Sequence, residues 1–356
     1  MMFDQIKAFF KPKPLAPSNQ KPISVSMGEP AGIGAEVLFK SWLARRNTHI
    51  PPFFLVGDPE FTDAQAKALN MFVPVEKIEH PSQANAVFNR ALPVYPLELE
   101  TEVKPGIADP ANAGAVLDSI KIATKFVMDG DASAIVTLPI HKSTLYQSGF
   151  GFAGHTEYLT SLCNTTKATV MMLEIDTLRV ALSTIHVSLK DAIDKITTSL
   201  IVNQTLTVER SLRHMFGIAK PRIAIAALNP HAGEHGAMGL EEIEIIIPAI
   251  EQLRERGIDI SGPHPADTMF HKNARAQYDC AICLYHDQGL IPIKTLDFHG
   301  GVNITLGLPI VRTSPDHGTA FDIAGKGVAD PASLIAALKR AEGLAIARAA
   351  YKTVKA

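Results

Sequence analysis

Three histidines in this chain each close an apolar run, and that repeated setting is the first sign of chemistry. His186 ends Ala-Leu-Ser-Thr-Ile-His, His231 ends Ala-Ala-Leu-Asn-Pro-His, and His286 ends Ile-Cys-Leu-Tyr-His. Each is the first imidazole after a strand-like segment, so all three can gather above one sheet edge. Three imidazoles with open coordination positions make a catalytic metal site in which substrate takes the vacancies. Any one of them alone reads as well as a hydrogen-bonding loop residue. No HExxH-type pair is present, so spacing by itself does not establish a metal. His80, His214, His264 and His271 lack the strand-end setting and read as surface or structural residues.

Anion chemistry has its own candidates. Gly154, His155 and Thr156 stand just ahead of a helical run. The free N–H groups and partial positive charge of a helix start suit a phosphate. The same residues read equally as a plain cap at Thr156. Lys294 and Arg312 could add charge-assisted bonds to phosphate or carboxylate. For a dinucleotide, Gly28-Glu-Pro-Ala-Gly-Ile-Gly34 is not GxGxxG, and no acidic residue follows at the Rossmann distance. The stretch Asp316–Gly327 is the better cofactor loop, with His317, Gly318, Thr319, Ala320 and Asp322 as contacts. Its glycines let backbone N–H groups come close to pyrophosphate or ribose.

These residues need elements to hold them. Strands are expected at 23–27, 52–56, 134–138, 170–173, 180–185, 223–228 and 280–285, with a further extended segment at 304–311. Helices are expected at 35–44, from Asp109-Pro110 to about Met128, over most of 191–216, at 240–256, and from Ala332 to about Tyr351. Asp-Pro at 109–110 and at 330–331 is a cap followed by proline at the first helical position. Strands alternating with helices give an α/β fold with a largely parallel sheet. In such sheets ligands collect beyond the carboxyl ends of strands, and the polar turns here all follow strands.

At 356 residues the chain exceeds one ordinary core, so two domains are expected. Lys plus Arg is 34 against 36 Asp plus Glu, a balance that argues for neither nucleic acid nor a membrane surface. No apolar run reaches the roughly 18 residues of a membrane span. Phe3–Phe10 is a short amphipathic piece in an N-terminal tail, 1–22, without signal-peptide features. Cys163, Cys280 and Cys283 are a sparse, odd set that fits a reducing compartment, hence the cytoplasm. Cys280 and Cys283 form a CxxC, but residues three apart on a strand face opposite ways, so core packing is the expectation.

The chain resembles the 4-hydroxythreonine-4-phosphate dehydrogenases of pyridoxal phosphate biosynthesis. The resemblance runs from about Ile23 onward and rests on GEPAGIG, the Gly154-His-Thr-Glu turn, LNPHAGE, GPHPADT, YHDQGLIPIK, GVNITLGLP and RTSPDHGTAFDIAG. The last motif is also similar to the cofactor loop of isopropylmalate and isocitrate dehydrogenases. The resemblance therefore implies two α/β/α domains with a cleft between them: 23–150 plus 300–356, carrying the cofactor loop, and 151–299, carrying metal and substrate residues. It implies that His186, His231 and His286 hold a divalent metal, with zinc or cobalt suiting imidazoles better than magnesium. His155, Thr156, Lys294, Asn303 and Arg312 would bind substrate. His235 stands where relatives more often have glycine, and a solvent-facing role is expected for it.

The implied reaction is NAD- or NADP-dependent oxidation of 4-phosphooxy-L-threonine to 2-amino-3-oxo-4-phosphooxybutanoate, which decarboxylates to 3-amino-2-oxopropyl phosphate. Asp267 and Lys294 are both candidates for the base. The family also implies a homodimer whose site draws on both subunits. Three other readings compete. A paralogue acting on phospho-D-threonate or phospho-D-erythronate would share the same motifs. A three-histidine metal hydrolase has no use for the Asp316–Gly327 loop, and a silent metabolite-binding protein has no use for so complete a ligand set.

Overall fold

The computed structural model describes residues 20–355, and Phe3–Phe10 lies outside them. The chain divides into two compact units: one runs to Gly149 and takes in Thr319–Pro331, and the other is Phe150–Gly318 with the C-terminal helix from Ala332.

The first unit alternates β1 (Ile23–Ser26), α1 (Gly34–Ala44), β2 (Phe53–Gly57), α2 (Pro59–Ala68), β3 (Val75–Lys77), β4 (Leu92–Pro96), α3 (Ala113–Met128) and β5 (Ile135–Thr137). Its strands lie in the order β3-β4-β2-β1-β5, every pairing parallel. β1 and β2 are buried along their whole length, as apolar strands covered on both faces must be. Buried hydroxyls are tolerated here where a backbone group answers them: Ser24 Oγ donates to the Ala123 carbonyl at 3.0 Å. Ser119 Oγ donates to the Val56 carbonyl at 2.7 Å and accepts the Met27 N–H at 2.8 Å. α2 starts at an Asp-Pro pair, Asp58 accepting the N–H groups of Glu60 and Phe61. Asp109-Pro110 does the same for the short turn that leads into α3.

The second unit contains α4 (His155–Leu162), β6 (Val170–Ile175), β7 (Leu178–Leu182), α5 (Leu189–Lys195), α6 (Thr198–Met215), β8 (Arg222–Ala226), α7 (Ile247–Glu255), β9 (Asp259–His264), β10 (Cys280–Cys283), α8 (His286–Leu296), β11 (Val302–Leu306), β12 (Arg312–Pro315) and α9 (Ala332–Lys355). The strand order is β12-β11-β6-β7-β10-β8-β9. From β7 to β9 the pairs are parallel, whereas β12, β11, β6 and β7 pair antiparallel. β12 was not expected as a separate strand. The turn at Gly307–Val311 divides the anticipated 304–311 segment and sends the chain back along β11.

The units divide between Gly149 and Phe150, and the C-terminal segments are shared between them. β11, β12 and α9 group with the second unit, because β11 is hydrogen-bonded to β6 along five register pairs. Only Thr319–Pro331 returns to the first unit. The 191–216 helix is two helices, broken at Ile196–Thr197 where Thr197 caps α6. Cys280 and Cys283 are free and fully buried in β10, and the Cys283 side chain packs with Leu173, Val180 and Leu182. Among the described residues no helix is long and apolar enough to cross a membrane.

Candidate active site

β7, β10 and β8 are adjacent parallel strands, and His186, His286 and His231 lie beyond their three carboxyl ends. Parallel strands sit about 4.8 Å apart, so imidazoles after neighbouring strands can meet, while those two strands apart must reach. His286, after the middle strand, neighbours both others, and it is His186 that it meets. The His186 and His286 rings lie 6.1 Å apart, centre to centre, at 45°. Both line one cavity of about 350 Å³ with Thr184, Tyr285 and Asp287. His286 is the first residue of α8, and one ring nitrogen lies 2.7 Å from Asp287 Oδ1. A carboxylate there fixes the orientation of a ligating imidazole.

His231 is not on the wall of that cavity. It stands exposed on a turn in which His231, Ala232, Gly233, Glu234 and His235 all have left-handed backbone angles. Each non-glycine residue held this way costs about 1–2 kcal/mol, so the turn needs an outside hold, and Glu242 supplies it. Its buried carboxylate accepts the backbone N–H groups of Leu228 and Asn229, both at 2.8 Å, and the Asn229 amide at 2.9 Å. At Gly233 a side chain would meet Glu242 Oε2 at 2.6 Å. Gln288 then ties the histidine loops together. Its Oε1 accepts the Leu284 N–H at 2.7 Å beside His286, and its Nε2 donates to the Ala227 carbonyl at 2.7 Å, four residues before His231. Among the described residues no three His, Cys, Asp or Glu side chains are gathered closely enough to hold a metal as they stand. The structure brings two of the three histidines together and anchors the third on a constrained turn. His235 is exposed on that same turn.

Asp267 is exposed in a short turn between β9 and β10 and lines a neighbouring cavity of about 420 Å³. Tyr285 and Asp287 line both cavities, so Asp267 sits one wall away from the two histidines.

The remaining substrate candidates form a polar group on β11, β12 and α8. Lys294 Nζ lies 2.8 Å from Asp316 Oδ2, and Asp316 is fixed in turn by its own N–H, which donates to Ser333 Oγ at 2.9 Å. Asn303 and Arg312 come from antiparallel partners. Arg312 Nη1 lies 2.9 Å from Thr305 Oγ1 and 3.4 Å from Asn303 Oδ1. Burial pulls the Arg312 guanidinium down to about 10, the signature of a cation stripped of water. His155 and Thr156 open α4 on a separate element of the same unit. Gly154, not Thr156, is the residue that caps α4, and it brings no side chain to the first turn.

The expected cofactor loop crosses between the units at Gly318/Thr319. On the second-unit side, a His317 ring nitrogen lies 3.0 Å from the Gly318 carbonyl. On the first-unit side, Thr319–Gly327 is a run of tight turns with Ala320 at φ +44° and Asp322 exposed. It is gripped at both ends. The Ile33 N–H donates to the Thr319 carbonyl at 3.0 Å, and Gly32 packs so closely that a side chain would meet that oxygen at 2.8 Å. At the far end Glu36 and Lys40 of α1 hold Gly327 and Ala329. The Gly28–Gly34 turn thus supports the loop, a role its own sequence did not reveal.

Comparison with known proteins settles the family. Residues 49–341 match the model of the pyridoxal phosphate biosynthetic protein PdxA. The chain belongs to the PdxA family. A 4-hydroxythreonine-4-phosphate dehydrogenase of Methylorubrum populi is 51% identical over 334 residues, covering 92% of this chain and 95% of that protein. Among solved structures, the 4-hydroxythreonine-4-phosphate dehydrogenase of Klebsiella pneumoniae superposes with a TM-score of 0.82 at 37% identity, covering 92% of this chain and all of that one. The Burkholderia phymatum enzyme of the same name gives 0.79 at 37%, covering 92% and 99%. The PdxA-family chain described here is accordingly an oxidoreductase that acts on an alcohol.

Sequence reasoning singled out the histidines, Asp267, Lys294, Asn303 and Arg312 as candidates. It missed Glu36, Glu242, Gln288 and Asp316. Asp316 was named only as the start of a loop, and the other three lie in the first turns of helical segments, where nothing local marks a buried polar side chain.

Proposed function

We propose that this chain oxidises the secondary alcohol of 4-phosphooxy-L-threonine with NAD or NADP and a divalent metal. The product is 2-amino-3-oxo-4-phosphooxybutanoate, which loses its carboxylate to give 3-amino-2-oxopropyl phosphate, a step in pyridoxine 5'-phosphate formation. The observation that carries this reading is the His186–His286 pair in a cavity that shares its Tyr285–Asp287 wall with Asp267. The name borne by the relatives supports the substrate.

The donor set suits a transition metal, since neutral imidazoles favour zinc or cobalt over magnesium. Bound by His186, His231 and His286, the ion would acidify the substrate hydroxyl and neutralise the charge left on its oxygen as hydride departs to the nicotinamide. Asp267, exposed at the edge of the adjoining cavity, would take the hydroxyl proton. Lys294, already paired with Asp316, is better set to donate a proton or to hold an anion than to accept one. Arg312, with Asn303 and Thr305 beside it, would bind the phosphate, and the first turn of α4 with His155 and Thr156 offers further N–H donors. Binding of these remote groups orients the reacting carbon. Thr319–Gly327, fixed at both ends, presents backbone groups to the dinucleotide together with His317 and Gly318.

A homodimer fits the same surface. Val187, Leu189 and Ile193 follow His186, and Met238, Leu240 and Ile243 follow His231, all exposed. Apolar residues in such number beside a polar site would suit an interface, and a second copy there would complete the surroundings of His231. Three free, buried thiols are consistent with a cytoplasmic protein.

The deciding experiment follows NADH or NADPH formation with 4-phosphooxy-L-threonine and added divalent metal, with and without chelator. A chelator-sensitive signal supports the reading. Turnover of phospho-D-threonate or phospho-D-erythronate, with none of 4-phosphooxy-L-threonine, would replace the substrate and keep the chemistry.

A further inference from the structure

The second unit holds another cavity, of about 250 Å³, whose wall contains none of the residues assigned to the reaction. Four cationic or titratable side chains reach it from three elements: Lys167 ahead of β6, Arg210 and His214 on α6, and Arg348 on α9. Among the described residues no carboxylate lines it. Arg210 and His214 share one face of α6 with Thr207 and Ser211, three and four residues apart.

The walls are built firmly. Thr207 Oγ1 donates to the Ala168 carbonyl at 3.3 Å. Across from it Gly307, at φ +88°, packs so tightly that a side chain would meet the same Ala168 oxygen at 2.3 Å. The loops before β6 and after β11 are thereby pressed together against α6. His214 stacks on Tyr351 with ring centres 4.0 Å apart, which joins α6 to α9.

Arg348 is the informative residue. It is half-buried, and its guanidinium donates to the carbonyl of Pro309, not to a carboxylate. Burial lowers its proton affinity, with no acid acting against that. A half-buried cation held by a carbonyl dipole, with no acid beside it, keeps positive charge that an anion can answer. Lys167 and Arg210, mostly exposed beside it, add positive potential to the same cavity. An anion entering here relieves the burial cost of Arg348 and meets two further cations.

We infer that this cavity binds a small phosphate monoester. A planar guanidinium fork matches phosphate oxygens, and a dianion answers the charge of the wall better than a single carboxylate does. The volume lies below the range typical of drug-sized ligands, which restricts the occupant to a few carbons beyond its phosphate. The inference stands on this cavity alone and does not depend on which alcohol the enzyme oxidises.

The test uses the full chain and two probes, inorganic phosphate and glycerol 3-phosphate, measured by equilibrium dialysis. The variant is Lys167→Glu/Arg210→Glu, both at exposed positions, with its melting temperature compared to that of the parent. Parent protein should bind the probes at one site more than the variant, or that site should weaken at least tenfold in the variant. Turnover of the preferred substrate should keep its kcat and KM. Arg348→Met, which leaves the exposed pair intact, should weaken the same site. Equal stoichiometry and affinity in parent and Lys167→Glu/Arg210→Glu would overturn the inference. So would equal displacement of phosphate by acetate, which would make the cavity a general counter-ion sink.

Discussion

The Glu36 carboxylate accepts the backbone N–H of Ala329 at 2.7 Å, although the two residues lie 293 positions apart. Its other oxygen accepts the Gly327 N–H at 3.2 Å, while Lys40, one turn along α1 and 2.8 Å from Glu36, donates to the carbonyls of both residues. One helix thus uses an acid for the N–H groups and a base for the carbonyls of the same short segment. With Ile33 holding Thr319, the start of α1 fixes the two ends of a loop that itself contains only turns.

Glu36→Gln tests what that hold is for. The amide keeps the shape but can offer only one acceptor oxygen, so an N–H group or the Lys40 ammonium loses its partner. A hydrogen bond to a charged group is worth about 1.5–3 kcal/mol. If the clamp shapes the dinucleotide site, KM for NAD(P) should rise several-fold while kcat for saturated enzyme moves much less. A fall in melting temperature with KM unchanged would show that the clamp serves the fold alone.

Removing the imidazoles should act differently. His231 and His186 are exposed, so His231→Ala and His186→Ala should fold and melt as the parent does. Each should lower bound metal, measured by elemental analysis, and reduce turnover by at least a hundredfold, because loss of one of three ligands leaves a poorly held ion. Full turnover by either variant in metal-free buffer would remove the metal from the reaction.

The strand-end histidines were legible because a parallel sheet has one rule for where loops with chemistry lie, and sequence alone shows which imidazole comes first after each apolar run. The order β7-β10-β8 was not legible, nor was the left-handed turn at 231–235 that sets His231 apart from the His186–His286 pair although its strand adjoins that of His286. Similarly, Asp109 announces a helix start by standing before proline, whereas α4 begins at Gly154 with no polar cap. The antiparallel return of β11 and β12 was hidden because register depends on partners far away in the chain. That return is what puts Asn303, Thr305 and Arg312 side by side, since residues two apart on one strand share a face and the neighbouring strand supplies the third.

Lys294 and Asp316 separate anchoring from proton transfer. Lys294→Met removes the cation and strands Asp316, which is mostly buried. Lys294→Arg keeps the charge and can keep the ion pair. If Lys294 serves to bind an anion, the arginine variant should recover most of the binding, with KM within about tenfold of the parent. If it moves a proton, both variants should lose about 10²–10⁴ in kcat, and Asp267→Asn should then have the smaller effect. Kinetics of the three variants at saturating cofactor distinguish the cases.

The thiols give a pH prediction with a definite sign. Burial pushes Cys280 up to about 12, raises Cys283 well above its ordinary value and lifts Cys163 to about 11. In the unfolded chain the same thiols ionise near about 8.5. Below that pH both states hold the protons and nothing changes. Above it the folded state retains protons that the unfolded state has released, so stability falls as pH rises, by about 1.4 kcal/mol per pH unit for each fully protected thiol. Chemical denaturation at pH 8, 9 and 10 should show this decline, and Cys280→Ala should make it shallower while lowering stability at every pH. Because the thiolate is the reactive form, a thiol reagent at pH 8 should label none of the three quickly in native protein and all of them in denaturant. Prompt native labelling of Cys280 or Cys283 would mean that β10 opens readily, and the loops bearing His286 and His231, tied through Gln288 to the end of that strand, would open with it.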